Sequence, residues 1–138
     1  MEMKHAPELS LIEGCPIDGS APIDAIAYRF VFGDADHEKN FTCPSKLNPR
    51  RTFKPEDQCS SLALSFYTNK KSARAAYDDL LKLYKNVRKT IGDSIAELKV
   101  VMDDGLAGPV DGAGHFDLWE SATATFVGRV ITAESLAS

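Results

Sequence analysis

The chain of 138 residues contains 43% hydrophobic and 26% charged residues and carries a formal net charge of −4. This composition is typical of a single globular domain and argues against a disordered, collagenous or coiled-coil chain. No apolar run approaches the roughly 18 residues of a transmembrane helix, and no secretory signal pattern is present. We therefore expect a soluble cytoplasmic protein that does not bind membranes.

The cysteine content also indicates a reducing compartment. Cys15, Cys43 and Cys59 are an odd number and form no C-x-x-C motif. The three histidines are scattered, whereas structural zinc sites usually draw their ligands from close pairs. We therefore expect three ordinary thiols and no metal site.

Charge is unevenly distributed along the chain. Residues 46–89 contain eleven basic and four acidic residues, whereas residues 1–45 and 90–138 each carry eight acidic residues against three and two basic ones. Such segregation can neutralise itself inside the fold, or it can present a charged surface to a partner. The acidic total and the lack of interleaved aromatic residues argue against nucleic acid as that partner.

The first half of the chain contains one clear strand. Residues 1–24 are rich in proline and glycine and are predicted to form an irregular arm, laid over a single domain at 25–138 or partly disordered. Residues 26–32 alternate as a strand, whose central Arg29 must meet an acid or a cleft because an unpaired buried charge is costly. A polar loop at 33–58 follows, and loops of that length tend to be functional or mobile.

The second half supplies the helix and the remaining strands. Residues 61–67 read as a buried strand, and an apolar stripe at helical spacing predicts a helix over about 70–91. Three further strands are expected at 94–102, 115–120 and 123–132, the last two as a hairpin. The order predicts an α+β fold, a mostly antiparallel sheet of about five strands with one long helix on one face.

The outer face of the predicted helix is strongly basic. We expect it to form a binding surface for an acidic protein partner, and its cationic residues are Lys70, Lys71, Arg74, Lys82, Lys85, Arg88 and Lys89. Trp119, the only tryptophan, is expected to anchor either the core or an interface.

Three residues suggest an enzyme as the alternative. Arg29 lies in the first strand, Ser65 in the strand before the helix and Glu120 at the end of a late strand. Their order resembles the arginine, serine-containing strand and glutamate of mono-ADP-ribosyltransferases. The resemblance implies that Arg29 would bind a nicotinamide dinucleotide such as NAD, Ser65 would order the pocket and Glu120 would stabilise the transition state at the ribose.

His115 is the remaining candidate for chemistry. It shares a strand face with Asp117, and a neighbouring carboxylate could orient it as a general base, although such a histidine is more often a hydrogen-bonded structural residue. No nucleotide-binding, zinc-protease or hydrolase motif is present. The sequence thus favours a cofactor-free protein-binding domain, with a transferase-like enzyme, or a toxin or its immunity protein, as alternatives.

Overall fold

A computed structural model describes residues 1–136 and contains one sheet of six strands. The strands are β1 (Ala25–Val31), β2 (Leu64–Tyr67), β3 (Ser94–Val100), β4 (Gly105–Ala107), β5 (His115–Glu120) and β6 (Val130–Ser135). They lie in the order β4-β5-β2-β1-β3-β6, and every neighbouring pair is antiparallel. The predicted α+β fold is confirmed, with one strand more than expected.

The α-helices are one long and three short ones. They are α1 (Ala6–Leu9), α2 (Pro44–Leu47), α3 (Lys70–Leu83) and α4 (Val87–Thr90). The N-cap residue of α3 is Asn69, whose side chain accepts a hydrogen bond from the Ser72 amide. No helix in residues 1–136 is long and apolar enough to cross a bilayer.

The helix predicted over 70–91 is interrupted near its end. Tyr84 is extended, with φ −133° and ψ 139°, and helical structure resumes only at Val87. The interruption leaves Tyr84 61% exposed while Val87 is fully buried. The predicted apolar stripe therefore lies on one helix up to Leu80. Beyond α3 the chain must turn to bring Val87 into the core.

The α3 helix packs on one face of the sheet. Phe30 of β1 meets the Tyr77 ring of α3 at 5.3 Å, and the Tyr67 ring of β2 at 5.4 Å. The buried Tyr77 hydroxyl donates a hydrogen bond to the Gly92 carbonyl at 2.8 Å. Burial of these aromatic side chains holds the helix in place.

The opposite face of the sheet carries the larger core. Phe66 of β2 stacks on Phe116 of β5 at 5.7 Å and meets Phe126 at 5.8 Å. Leu9 of the N-terminal arm and Phe41 of the loop at 33–58 are buried against this cluster. The arm and the loop thus supply the layer that covers this face, where α3 is absent.

Two strand predictions need correction. No strand is predicted between residues 102 and 115, yet this segment contains β4, whose Gly105 has φ 151° and no room for a Cβ beside the Trp119 carbonyl. The last strand begins at Val130 and pairs with β3, so the expected hairpin with β5 is wrong. The chain between them instead turns inward and buries Phe126.

The cysteine prediction is also wrong for two of the three residues. Cys15 of the arm and Cys59 form a disulfide across 44 residues, and only Cys43 is a free, buried thiol. The pairing depends on the arm folding back over the core, which no spacing rule reveals. Disulfides persist mainly in oxidising compartments, so the reducing-compartment argument for a cytoplasmic location no longer holds.

Candidate functional site

The sheet opens between its two central strands. Strands β1 and β2 share one register pair, Tyr28 opposite Tyr67, and then diverge. Side chains replace the missing main-chain bonds: Arg29 Nη1 donates to the Ser65 carbonyl at 2.8 Å and Asn40 Oδ1 accepts from the Phe32 amide at 2.8 Å. The divergence can be tolerated because these backbone groups remain hydrogen-bonded.

A groove begins at this opening. Its inner cavity of about 290 Å³ is lined by Arg29 and Ser65 among others, and an adjoining cavity of about 820 Å³ continues it towards Lys85 and Lys89. The two cavities share the side chain of Arg51 and several apolar residues, so they form one depression. We call this depression the basic groove.

The walls of the basic groove combine apolar surface with positive charge. The apolar part includes Phe32, Leu47, Leu80 and Ile91, which line both cavities. The cationic residues are Arg29, Lys39, Arg51, Lys85 and Lys89. Within the described part of the chain, residues 1–136, no aspartate or glutamate lines either cavity, although the chain as a whole is acidic.

Arg29 is the most deeply placed of these cations. Its Nε donates to the Asn40 carbonyl at 3.0 Å, and its guanidinium lies over the Phe66 ring at 5.5 Å. Burial lowers the pKa of Arg29 to about 10, partly opposed by the charge of Glu120, so the group stays protonated at neutral pH. Within residues 1–136 it forms no ion pair, and its direct contacts are two neutral carbonyl acceptors and the rings of Phe41 and Phe66.

The basic helix face predicted from the sequence divides into two parts. Lys70 and Arg74 both bind the Glu134 carboxylate, at 3.0 and 2.8 Å, and are therefore neutralised within the fold. Arg88 donates to the Leu136 carbonyl, and Lys82 lies 3.9 Å from Asp79. Lys71 is exposed and lines neither cavity, so of the seven predicted residues only Lys85 and Lys89 line the groove.

The three residues that resembled a transferase site do not line one cavity. Arg29 touches the Ser65 carbonyl oxygen, not its hydroxyl, and both residues line the basic groove. Glu120 lines a separate cavity and pairs with Lys4 at 2.6 Å. Burial raises the pKa of Glu120, and the Lys4 ammonium opposes that rise. The Glu120 carboxylate is therefore paired with a cation of the N-terminal arm.

His115 lies near Asp117, as its strand position predicts, and Trp119 takes the first of its two predicted roles, in the core. His115 Nε2 lies 2.5 Å from Ser65 Oγ on the neighbouring strand, and 3.7 Å from Asp117 Oδ1. Trp119 is 1% exposed and donates from Nε1 to the Cys59 carbonyl at 2.9 Å. Trp119 is thus a core residue and does not offer an interface.

Sequence reasoning missed the contribution of the loop at 33–58 to the groove. Lys39 and Arg51, together with Asn40 and Leu47, line the inner cavity from that loop. The available signals were the unusual length of the loop and the Arg50–Arg51 pair within the basic middle of the chain. Neither signal shows that the loop returns to the end of α3, since that contact joins residues far apart in sequence.

Comparisons with known proteins do not assign this chain to a family. Among residues 1–136, no group of three or more His, Cys, Asp or Glu side chains is placed to hold a metal ion. No protein-family model matches the chain, and neither the curated proteins nor the solved structures yielded a match.

Proposed function

We propose that this protein is a binding protein whose basic groove takes an acidic segment of a protein partner. The observation that carries the proposal is the charge of the groove: five cations line it and no carboxylate does. Groups of one sign around a concave surface raise the local concentration of opposite charge and speed association.

The apolar walls favour a peptide segment over a small free anion. Tyr84, at 61% exposed, and Leu47, at 42%, lie beside the cations, so side chains of both kinds are available to one ligand. Acidic residues of a partner could pair with Lys85, Lys89 and Arg51 while apolar residues between them bury against these walls. Interfaces of this composition gain energy from the buried apolar anchors and specificity from the charges.

The test measures binding of a fluorescent twelve-residue peptide that alternates glutamate with leucine and phenylalanine. We expect binding that weakens with salt, because exposed charges are screened. The double variant Arg51→Glu/Lys89→Glu should weaken binding about 100-fold, if each reversal costs about 1.4 kcal/mol. The readout is fluorescence anisotropy, with the melting temperature confirming that the variant folds.

The matched control reverses two charges outside the groove. Lys54→Glu/Lys71→Glu changes the net charge equally, and neither residue lines the groove. We expect less than about a threefold change in affinity for this control, since distant surface charges are screened. Equal losses in both variants would show non-specific attraction and overturn the proposal. Tighter binding of a single-stranded oligonucleotide in the groove would assign it to nucleic acid instead.

A further inference from the structure

Ser65 at the inner end of the basic groove lies beside His115, which does not itself line the groove. In the β2–β5 ladder, Ser65 lies opposite Asp117 and Tyr67 lies opposite His115, so all four side chains are on one face of the sheet. The Ser65 hydroxyl and His115 Nε2 are 2.5 Å apart. This is the pairing of a nucleophile with a base that accepts its proton.

The other side of the imidazole faces a carboxylate. Asp111 Oδ2 lies 3.7 Å from His115 Nδ1, and Asp111 Oδ1 accepts a hydrogen bond from the His115 amide at 3.0 Å. The Tyr67 ring meets the imidazole edge-on at 5.4 Å. A proton on Nδ1, which Asp111 faces, leaves the Nε2 lone pair free to accept from Ser65. Asp117 Oδ1 lies 3.7 Å from Nε2 and would stabilise the imidazolium formed when that nitrogen takes the serine proton.

The serine is open to a ligand. Ser65 is exposed although its strand neighbours Leu64 and Phe66 are buried, and it lines the inner cavity together with Arg29. A hydroxyl that served only to complete a core hydrogen bond would not need this access.

We propose that Ser65 and His115 are catalytic residues that hydrolyse an ester of an anionic compound, with Asp111 as a positioning residue. Ser65 Oγ attacks the ester carbonyl carbon, and its proton passes to His115 Nε2. The bond from that carbon to the alcohol oxygen breaks, and the alcohol leaves with the proton. Water then attacks the acyl-serine, gives a proton to Nε2, and releases the carboxylic acid as Ser65 regains its hydrogen.

The substrate class follows from the position of the pair. An ester held at Ser65 would extend along a groove with Lys39 and Arg51 on its walls, so a negatively charged ester is favoured. This choice of substrate rests on the charge of the groove invoked in the proposed function. The assignment of Ser65 as the nucleophile does not rest on that charge, so the two proposals can be tested separately.

The first experiment uses the neutral reagent diisopropyl fluorophosphate, which forms an Oγ–P bond and releases fluoride. We expect one adduct by intact-protein mass, absent in Ser65→Ala, formed at least tenfold more slowly in His115→Gln and unchanged in the surface control Ser10→Ala. Asp111→Asn should slow labelling, and the conservative variant Asp111→Glu should restore it. No adduct, or an adduct that survives in Ser65→Ala, would overturn the proposal whether or not the acidic peptide binds.

The second experiment tests the substrate charge. Hydrolysis of p-nitrophenyl hemisuccinate should exceed that of p-nitrophenyl acetate at least tenfold in kcat/KM. Lys39→Glu/Arg51→Glu should abolish that preference, because both residues line the cavity that contains Ser65. Equal rates for the two esters in the unaltered protein would overturn the anionic substrate class.

Discussion

The arm-covered side of the sheet and the basic groove differ in whether their charged side chains are paired with opposite charges. On the arm-covered side, Glu120 is paired with Lys4 of the arm at 2.6 Å, and Asp104 is paired at 2.7 Å with Arg129, whose guanidinium lies over Phe126 of that core. In the groove, by contrast, none of the aspartates and glutamates of residues 1–136 lines the walls beside the cations. The ion pairs on the arm-covered side stabilise the protein's own fold, whereas the cations of the groove remain available to a ligand.

The difference shows how a segregated sequence can have two outcomes in one fold. The basic middle of the chain supplies Lys70 and Arg74, which Glu134 of the acidic C-terminal region neutralises. The same middle supplies Lys85 and Lys89, which no acidic flank reaches. Part of the charge division is therefore internal, and part faces solvent.

The largest effect expected from disturbing the arm-covered side comes from its disulfide. Replacing Cys15 and Cys59 with serine should lower the free energy of unfolding by about 4 kcal/mol, because the bond closes a 44-residue loop in the unfolded chain. Urea unfolding with and without reductant measures it. Affinity for the acidic peptide should be unchanged, since neither cysteine lines the groove. A reductant-insensitive transition in the unaltered protein would contradict the bond.

A smaller loss is expected from Lys4→Met, which leaves the Glu120 carboxylate buried without its cation. At neutral pH the variant should lose about 2 kcal/mol, the scale of a hydrogen bond to a charged group. Burial places the folded pKa of Glu120 above its unfolded value, and removal of Lys4 raises it further. The deficit should therefore grow as pH rises through that pKa and vanish in acid, where the carboxyl is neutral.

The control for this variant is a double-mutant cycle. In a Glu120→Gln background the same Lys4→Met change should cost little, because no buried charge remains to be neutralised. An equal cost in both backgrounds, measured by urea unfolding, would mean that Lys4 acts through packing alone.

The smallest effect is expected at the exposed cluster on α3. Glu134→Gln should lower the melting temperature by no more than about 3 °C, because exposed ion pairs contribute little. Hydrogen bonds from Lys70 and Arg74 hold the folded pKa of Glu134 below its usual value. The stability that the carboxylate contributes should therefore be present at neutral pH and lost as pH falls through that lowered pKa. A change in peptide affinity beyond about threefold would show that the two groups of helix cations are not independent.

The parts of the fold that depend on local pattern could be predicted from the sequence. The apolar stripe of α3 and the alternation in β1 and β5 each bury one face, so side-chain periodicity reveals them. The α+β arrangement follows from their order. Arg29 was rightly singled out as needing an acid or a cleft, and the structure places it at the opening between β1 and β2.

The parts that depend on distant contacts could not be predicted. Formation of β4 requires Gly105 to lie against Trp119, and the disulfide requires Cys15 to return over Cys59. The groove likewise exists only because Arg51 and Lys89, far apart in sequence, line the same cavity. Composition reveals that such charges exist, whereas their meeting is a property of the tertiary fold.

The single register pair between β1 and β2 has a mechanical consequence. The sheet consists of two three-stranded halves, β4-β5-β2 and β1-β3-β6, coupled at Tyr28 and Tyr67 and by the fork of Arg29. The inner cavity takes Ser65 and Tyr67 from one half and Arg29 and Phe30 from the other. A ligand bound there would contact both halves of the sheet. It would stiffen the molecule where neighbouring strands share the fewest register pairs.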